Sequence, residues 1–307
     1  MFNVAQAFDT FMKRLELTEP ERDKVSRQQN ELRSRLRDKL NGIARDVLVG
    51  SYARKTAIRP LNDVDLFLEL DPGVHGARRN REPQLLLEDV QRALRACYPS
   101  TTVASGPATR IQGRSVNIEF TGTGIGYDVI PAFRVRASGG SAPGDHYEIP
   151  NRNRREWIKT NPEVHGHRVI AANARAGGML NRLIKAAKHW NRTHESSAGE
   201  KPLRSFHLEV MAYEAFQAKP LDERRGLYEL FAFYSSRINS ACPDPAGLGP
   251  NLDADLTPPE RRLAQEKLQE GAQIALKAIH HEERGQDQEA YKLWRSLLGP
   301  EFKSSTR

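Results

Sequence analysis

Two aspartates stand one residue apart in an apolar run, "NDVDLFLEL", which spans Asn62 to Leu70. Side chains alternate faces along a strand, so Asp63 and Asp65 point one way while Val64 and Leu66 point the other. Two carboxylates side by side repel each other unless a cation sits between them. Hard oxygen ligands at this spacing suit Mg²⁺ or Mn²⁺, which take one or two carboxylates together with substrate phosphates. A strand end carrying two solvated aspartates is the plain alternative. Upstream, Gly50-Ser51 closes the apolar pattern "DVLVG" just before a helix start. Backbone N–H groups there can hold a triphosphate; Gly permits close approach and Ser adds a donor. A phosphate cradle followed by a two-carboxylate strand is the minimum kit for metal-assisted nucleotidyl transfer. A two-metal centre also draws a ligand from a neighbouring strand. Asp128 in "GYDVIPAF" and Glu119 in "VNIEF" compete for that role, and Val129 and Ile130 argue that Asp128 lies in a buried strand.

The surrounding pattern says what must position these groups. Residues 1–46 read as helical, with Phe8, Phe11, Leu15 and Leu17 forming an apolar stripe. The stripe breaks at "TEPERD", where Thr18 caps a second helix with Pro20 in its first turn and Val25, Leu32, Leu36, Leu40 and Ile43 along it. Short strand patterns follow: "DVLVG", "DVDLFLEL", "TTVASG", "RIQGRSVNIEF" and "YDVIPAFRV", with the helix "PQLLLEDVQRALRACY" among them. From about Arg168 the pattern is helical. The fold class is therefore α+β, with two domains expected at 1–160 and 161–307. The small-residue loop 137–145 reads as a hairpin tip or lid, and the Pro/Gly-rich stretch 242–260 as a surface connection.

Composition narrows the class. The chain has 307 residues, 38% hydrophobic, with a formal charge of +8. A basic balance attracts polyanions but names no ligand. No apolar run approaches the roughly 20 residues needed to span a bilayer. The N-terminus reads as a helix rather than a signal peptide, which makes the cytoplasm the expected compartment. Cys97 and Cys242 are the only cysteines, so there is no disulfide framework. His165 with His167, and His280 with His281, lack the Cys or carboxylate partners of a zinc site.

With "GS", "NDVD" and "YDVIP" in that order, the chain resembles the polymerase-β-like nucleotidyltransferase superfamily. More narrowly it resembles the cGAS/DncV-like nucleotidyltransferases (CD-NTases) of bacterial CBASS anti-phage systems. "IPNRNRREWIKTNPEVH", "LNRLIKAAKHWNR", "RSFHLEVMAY" and "YKLWRSLLGPEF" look like segments of that family in the same order, so the resemblance covers most of the chain. It implies a bilobal fold: a mixed-sheet core with helices, and an all-helical C-terminal lobe that completes a nucleotide-binding cleft. It selects Asp128 over Glu119 and makes Asp63, Asp65 and Asp128 the catalytic, metal-binding triad for two Mg²⁺ or Mn²⁺ ions. Gly50 and Ser51 then bind nucleotide.

On the helix "LNRLIKAAKHWNR", Leu180, Leu183, Ile184, Ala187 and Trp190 form a buried side, and Arg182, Lys185, His189 and Arg192 another. Spacing alone describes that second side as a solvated basic face. The resemblance makes Lys185 the contact to the β/γ-phosphates, with Lys188 as the alternative. It also makes Ser205 a phosphate ligand and Phe206 a platform on which a base stacks. Trp157 is read as a packing residue. Many relatives read GSxxxGT where this chain has Lys55 in place of the second Gly. The reading taken here puts Lys55 in the first helical turn, where a lysine is tolerated.

The function implied is synthesis of a cyclic di- or trinucleotide second messenger from nucleoside triphosphates, ATP among them. The closing segments resemble relatives that make tri-adenylate rings and work with HORMA-type regulators. The zinc-bearing insertion of the animal DNA sensor is not visible in the sequence, so a nucleic-acid activator is not implied. The rival readings are a template-independent polymerase making linear products and a non-catalytic nucleic-acid-binding protein on the same fold.

Overall fold

A computed structural model of the chain describes residues 3–99, 108–136, 145–195, 199 and 201–303. The strand expected at 101–106, and all but the last residue of the 137–145 loop, lie outside the described residues. The first half of the chain runs α1 (Val4–Leu15), α2 (Glu19–Lys39), β1 (Ile43–Val49), α3 (Gly50–Ala53), β2 (Asp63–Leu70), α4 (Pro72–Arg79) and α5 (Pro83–Cys97). Then come β3 (Ala108–Ile111), β4 (Val116–Phe120), β5 (Ile125–Val135), β6 (His146–Asn151) and β7 (Glu156–Thr160). The helices α6 (Pro162–Arg175), α7 (Leu180–Thr193), α8 (Ser205–Ala212), α9 (Glu223–Arg237), α10 (Pro258–Glu283) and α11 (Asp287–Leu298) complete the order.

Local chemistry explains the punctuation. Thr18 caps α2 in a capping box with Glu21, which satisfies two of the helix's orphan donors. That helix stops at Lys39, short of the expected span, because Gly42 at φ 74 turns the chain into β1. "RIQGRSVNIEF" is a hairpin, not one strand: the Gln112 N–H donates to the Ser115 carbonyl between β3 and β4. Gly177 and Gly178, at φ 58 and 85, divide the helical run after 168 into α6 and α7. The strands β6 and β7 and the helix α4 have no counterpart in the sequence expectation.

Two units emerge. The sheet unit comprises Leu17–Arg54 and Leu61–Gly166; the helical unit comprises Met1–Glu16, Lys55–Pro60 and His167–Arg307. The division is discontinuous, unlike the single boundary expected at 160/161. Physically, α1 buries Phe8 and Phe11 in the helical core, edge-on to Trp294 and His189, while α2 buries Val25, Leu32 and Leu36 against the sheet.

The sheet has the order β1-β2-β5-β4-β3, with β6 joined to the far end of β5 and β7 to β6. Among the described residues, only β2 and β5 run parallel; the other pairings are antiparallel. Helices α2 and α5 cover one face, where Val64, Leu66, Leu68, Ile118, Tyr127 and Val129 are buried. A smaller cluster of Phe67, Ala132, Tyr147 and Ile149 packs on the other face. By alternation, Asp65 and Asp128 share that second face.

Candidate active site

A single transverse row of the sheet gathers the acids. Val49 pairs with Asp65, Asp65 with Asp128, Asp128 with Asn117, and Asn117 with Arg110 across five successive strands. Register partners point to the same face, so Asp65 and Asp128 stand side by side. In the next row Asp63 faces Gly126, which has no side chain, and Gly126 faces Glu119. Asp63 is exposed while Asp65 and Asp128 are half-buried. Glu119, the competitor for the third position, is exposed and opposes a glycine rather than either aspartate of β2.

The electrostatics reflect this placement. Burial, then the charges of Asp63 and Asp128, pushes the Asp65 carboxyl from its ordinary 3.8 to about 6, against the pull of Arg54. Burial also raises Asp128; the Asn117 amide opposes this, Asp63 adds to it, and Arg110 opposes it. The Asn117 Nδ2 donates to Asp128 Oδ1 at 2.9 Å. Sequence reasoning missed Asn117 and Arg110. The only signal was a polar residue at every second place of "VNIEF", facing a strand that carries Asp128.

Gly50 begins α3 at φ 67, with its backbone against Asp65: a Cβ there would stand 1.7 Å from Asp65 Oδ2. Ser51 comes next in the same short turn and is half-buried. Lys55 does not take the place expected for it. The helix ends at Ala53 with Arg54 as its cap, so Lys55 lies beyond it rather than in its first turn, at φ 59. It is a lysine in a left-handed position of the kind that favours glycine.

The aspartates fit a hard divalent cation. Like charges pressed together at partial burial are stabilised by a positive ion, and all the donors are carboxylate oxygens. Among the described residues, no group of three or more His, Cys, Asp or Glu side chains converges to hold a metal ion unaided. A cation held at Asp65 and Asp128 would need further oxygen ligands, of the kind that phosphate and water supply.

The other expected residues belong to the helical unit. The Lys185 Nζ donates to Glu16 Oε2 at 2.5 Å, and the Glu16 side chain is 40% exposed. The Lys188 Nζ is sealed inside: it donates to Glu209 Oε2 at 2.7 Å and to the Thr56 carbonyl at 3.1 Å, and Glu209 is fully buried. Arg182 pairs with Glu223, and the His189 Nε2 meets the Leu298 carbonyl at 2.9 Å. This side of α7 is thus engaged with neighbouring elements, not a solvated basic face. Ser205 is the exposed first residue of α8, and Phe206 is half-buried against the helical core. Trp157 is half-buried, edge-on to Phe133 at 5.5 Å.

A mixed sheet bearing a paired-aspartate strand, a parallel partner strand with a third aspartate, and a glycine-serine turn packed on the acids is the architecture of a nucleotidyltransferase. Comparison with known proteins makes this specific. Residues 2–173 match the family model of the Second Messenger Oligonucleotide or Dinucleotide Synthetase domain, and the chain belongs to that family. It is 30% identical over 277 residues to a cyclic AMP-AMP-AMP synthase of an Acinetobacter species, covering 84% of this chain and 72% of that protein. It is 24% identical to the CBASS oligonucleotide cyclase CdnC of Escherichia coli, covering 94% of each. Its fold matches E. coli MS115-1 CdnC, solved as a CdnC:HORMA-deltaN complex, with a TM-score of 0.70 at 19% identity over 97% of each chain. The protein is a nucleotidyltransferase of the CD-NTase group. Among the described residues, no helix is long and apolar enough to cross a membrane.

Proposed function

We propose that the acid row and the Gly50-Ser51 turn form the catalytic centre of a synthase that joins nucleoside triphosphates into a cyclic oligonucleotide for anti-phage defence. The observation that carries this is the register match of Asp65 with Asp128, beside a glycine whose Cβ would meet the Asp65 carboxylate. Gly50 and Ser51 bind the triphosphate of the nucleotide under attack. Asp128, its carboxylate oriented by Asn117, takes the proton from the ribose hydroxyl that attacks the α-phosphate as pyrophosphate leaves. Two Mg²⁺ or Mn²⁺ ions held by Asp63, Asp65 and Asp128 would supply the charge that sharpens the nucleophile and steadies the leaving pyrophosphate. Lys185 exchanges its ion pair with Glu16 for the β/γ-phosphates, Ser205 binds phosphate, and Phe206 stacks on a base.

ATP is the proposed substrate, from likeness to the cyclic AMP-AMP-AMP synthase. A HORMA-type protein is the proposed regulator, from likeness to CdnC. Cytoplasmic location accords with both. Incubation with all four NTPs and Mg²⁺ or Mn²⁺, followed by phosphatase treatment and mass spectrometry, tests the reading. A phosphatase-resistant ring that Asp63→Asn/Asp65→Asn abolishes is expected. A product ladder growing on an added RNA primer, with no resistant product, would sink it.

A further inference from the structure

The row that carries the acids has a cation at its far end. From β1 to β3 it reads Val49, Asp65, Asp128, Asn117 and Arg110, and Gly50-Ser51 follows Val49 directly. Register partners share a face, so Arg110 belongs to the face that holds Asp65 and Asp128. It stands two strands from Asp128, roughly 10 Å at the usual spacing between strands. Arg110 is exposed and, among the described residues, makes no hydrogen bond or ion pair. Glu119 lies diagonal to it on the same face, and no ion pair joins the two. Other arginines of the sheet unit are committed: Arg78 holds Asp89, Arg79 holds Glu148 and Arg134 holds Asp145.

In-line geometry gives this cation an anion. In phosphoryl transfer the attacking and leaving oxygens lie roughly in line through the phosphorus. The proposed centre holds the triphosphate at Gly50-Ser51, so the pyrophosphate leaves on the β1 side. The attacking hydroxyl loses its proton to Asp128 as its oxygen bonds to phosphorus, and it comes from the opposite side. The rest of its nucleotide then lies over β4 and β3. The anionic part of that nucleotide is its own 5′-phosphate, and a guanidinium can grip a phosphate with two parallel N–H donors.

We propose that Arg110 binds the 5′-phosphate of the attacking nucleotide and so selects phosphorylated acceptors over bare nucleosides. The assignment rests on the synthase reading above. At each joining step, ring closure included, the attacking nucleotide carries a phosphate at that position: the triphosphate of a free NTP first, a phosphodiester afterwards. One arginine thus serves every step.

2′,3′-Dideoxy-ATP can give up its nucleotidyl group but has no ribose hydroxyl with which to attack. Supplied with Mn²⁺ and either AMP or adenosine, the full chain should yield one linear product and pyrophosphate, measured by mass spectrometry. Wild type should use AMP about tenfold better than adenosine in kcat/KM, and Arg110→Ala should erase that preference with KM for dideoxy-ATP unchanged. Arg110→Lys keeps the charge and should restore part of it. Calorimetry reads the same contact without turnover. With the donor site filled by 2′,3′-dideoxy-α,β-methylene-ATP, which can neither attack nor release pyrophosphate, AMP should bind about tenfold tighter than adenosine to wild type and equally to Arg110→Ala. No preference in wild type, a preference kept by Arg110→Ala, or KM for dideoxy-ATP rising in step overturns the proposal. Cyclic product from NTPs beside an AMP preference that Arg110→Ala leaves intact refutes the arginine and leaves the synthase standing. An Arg110-dependent preference in binding without any joining of nucleotides does the reverse.

Discussion

The backbone of Gly50 lies against the carboxylate of Asp65, close enough that any side chain at position 50 would displace Oδ2. Gly50→Ala therefore strikes twice: its Cβ meets Asp65, and φ 67 strains a non-glycine residue. We expect a stability loss of about 1–3 kcal/mol and loss of nearly all synthesis. Urea unfolding together with product yield checks both; an active Gly50→Ala protein would contradict the placement.

Metal-free stability should depend on pH through Asp65. Its carboxyl titrates at about 6 in the folded chain against an ordinary 3.8, so folding favours its protonated form. The stabilisation is complete below about pH 4 and is lost as pH rises through 6, amounting to on the order of 2–3 kcal/mol. In EDTA, Asp65→Asn should melt higher than wild type at pH 8 and flatten this slope. Added Mn²⁺ should raise the wild-type melting temperature at pH 8 and have little effect at pH 5.

Asn117→Ala removes the amide that holds Asp128 Oδ1. In the proposed site the triphosphate is held by Gly50, Ser51, Lys185 and Ser205, so kcat should fall about 10- to 100-fold with KM for the triphosphate nearly unchanged. Initial-rate kinetics give the split; a KM effect alone would mean that Asn117 touches substrate instead.

The two lysines of α7 should separate cleanly. Lys188→Ala leaves Glu209 buried without its cation and should cost about 3–5 kcal/mol. Lys185→Ala breaks a pair with a half-open partner, should cost about 1 kcal/mol or less, and should raise KM for the triphosphate. Denaturation curves beside kinetics decide the assignment.

Lys55→Gly relieves the left-handed backbone at an exposed position. The gain should be a few tenths to about 1 kcal/mol, because glycine also loosens the unfolded chain. Equilibrium unfolding in urea measures it.

Much of this was legible in the sequence because it is written in local rules. The period-two pattern at Asp63–Leu70 returns as β2 with those bounds, and Thr18 caps α2 as its neighbours dictate. Asp128 could be preferred to Glu119 by its apolar flanks. Pairing could not be read in the same way. Nothing near Asn117 announces that it will oppose Asp128, since register is settled between strands distant in sequence. Lys55 misled for a related reason: a one-turn helix takes its length from the path of the chain after it, and a lysine there carries no warning of its backbone.

The parallel pairing of β2 with β5 sets the order in which this enzyme can come into being. Parallel strands cannot close through a tight turn, and here α4, α5, β3 and β4 all intervene. On the ribosome Asp63 and Asp65 emerge long before their partner. A chain halted ahead of Ile125 holds two acids of the proposed centre and lacks the third. The entropy of closing so long a loop is offset only when the whole middle of the sheet docks, which makes strand insertion a slow, late step. With Asp128 as the third acid of the proposed centre, messenger synthesis would wait on a completed sheet.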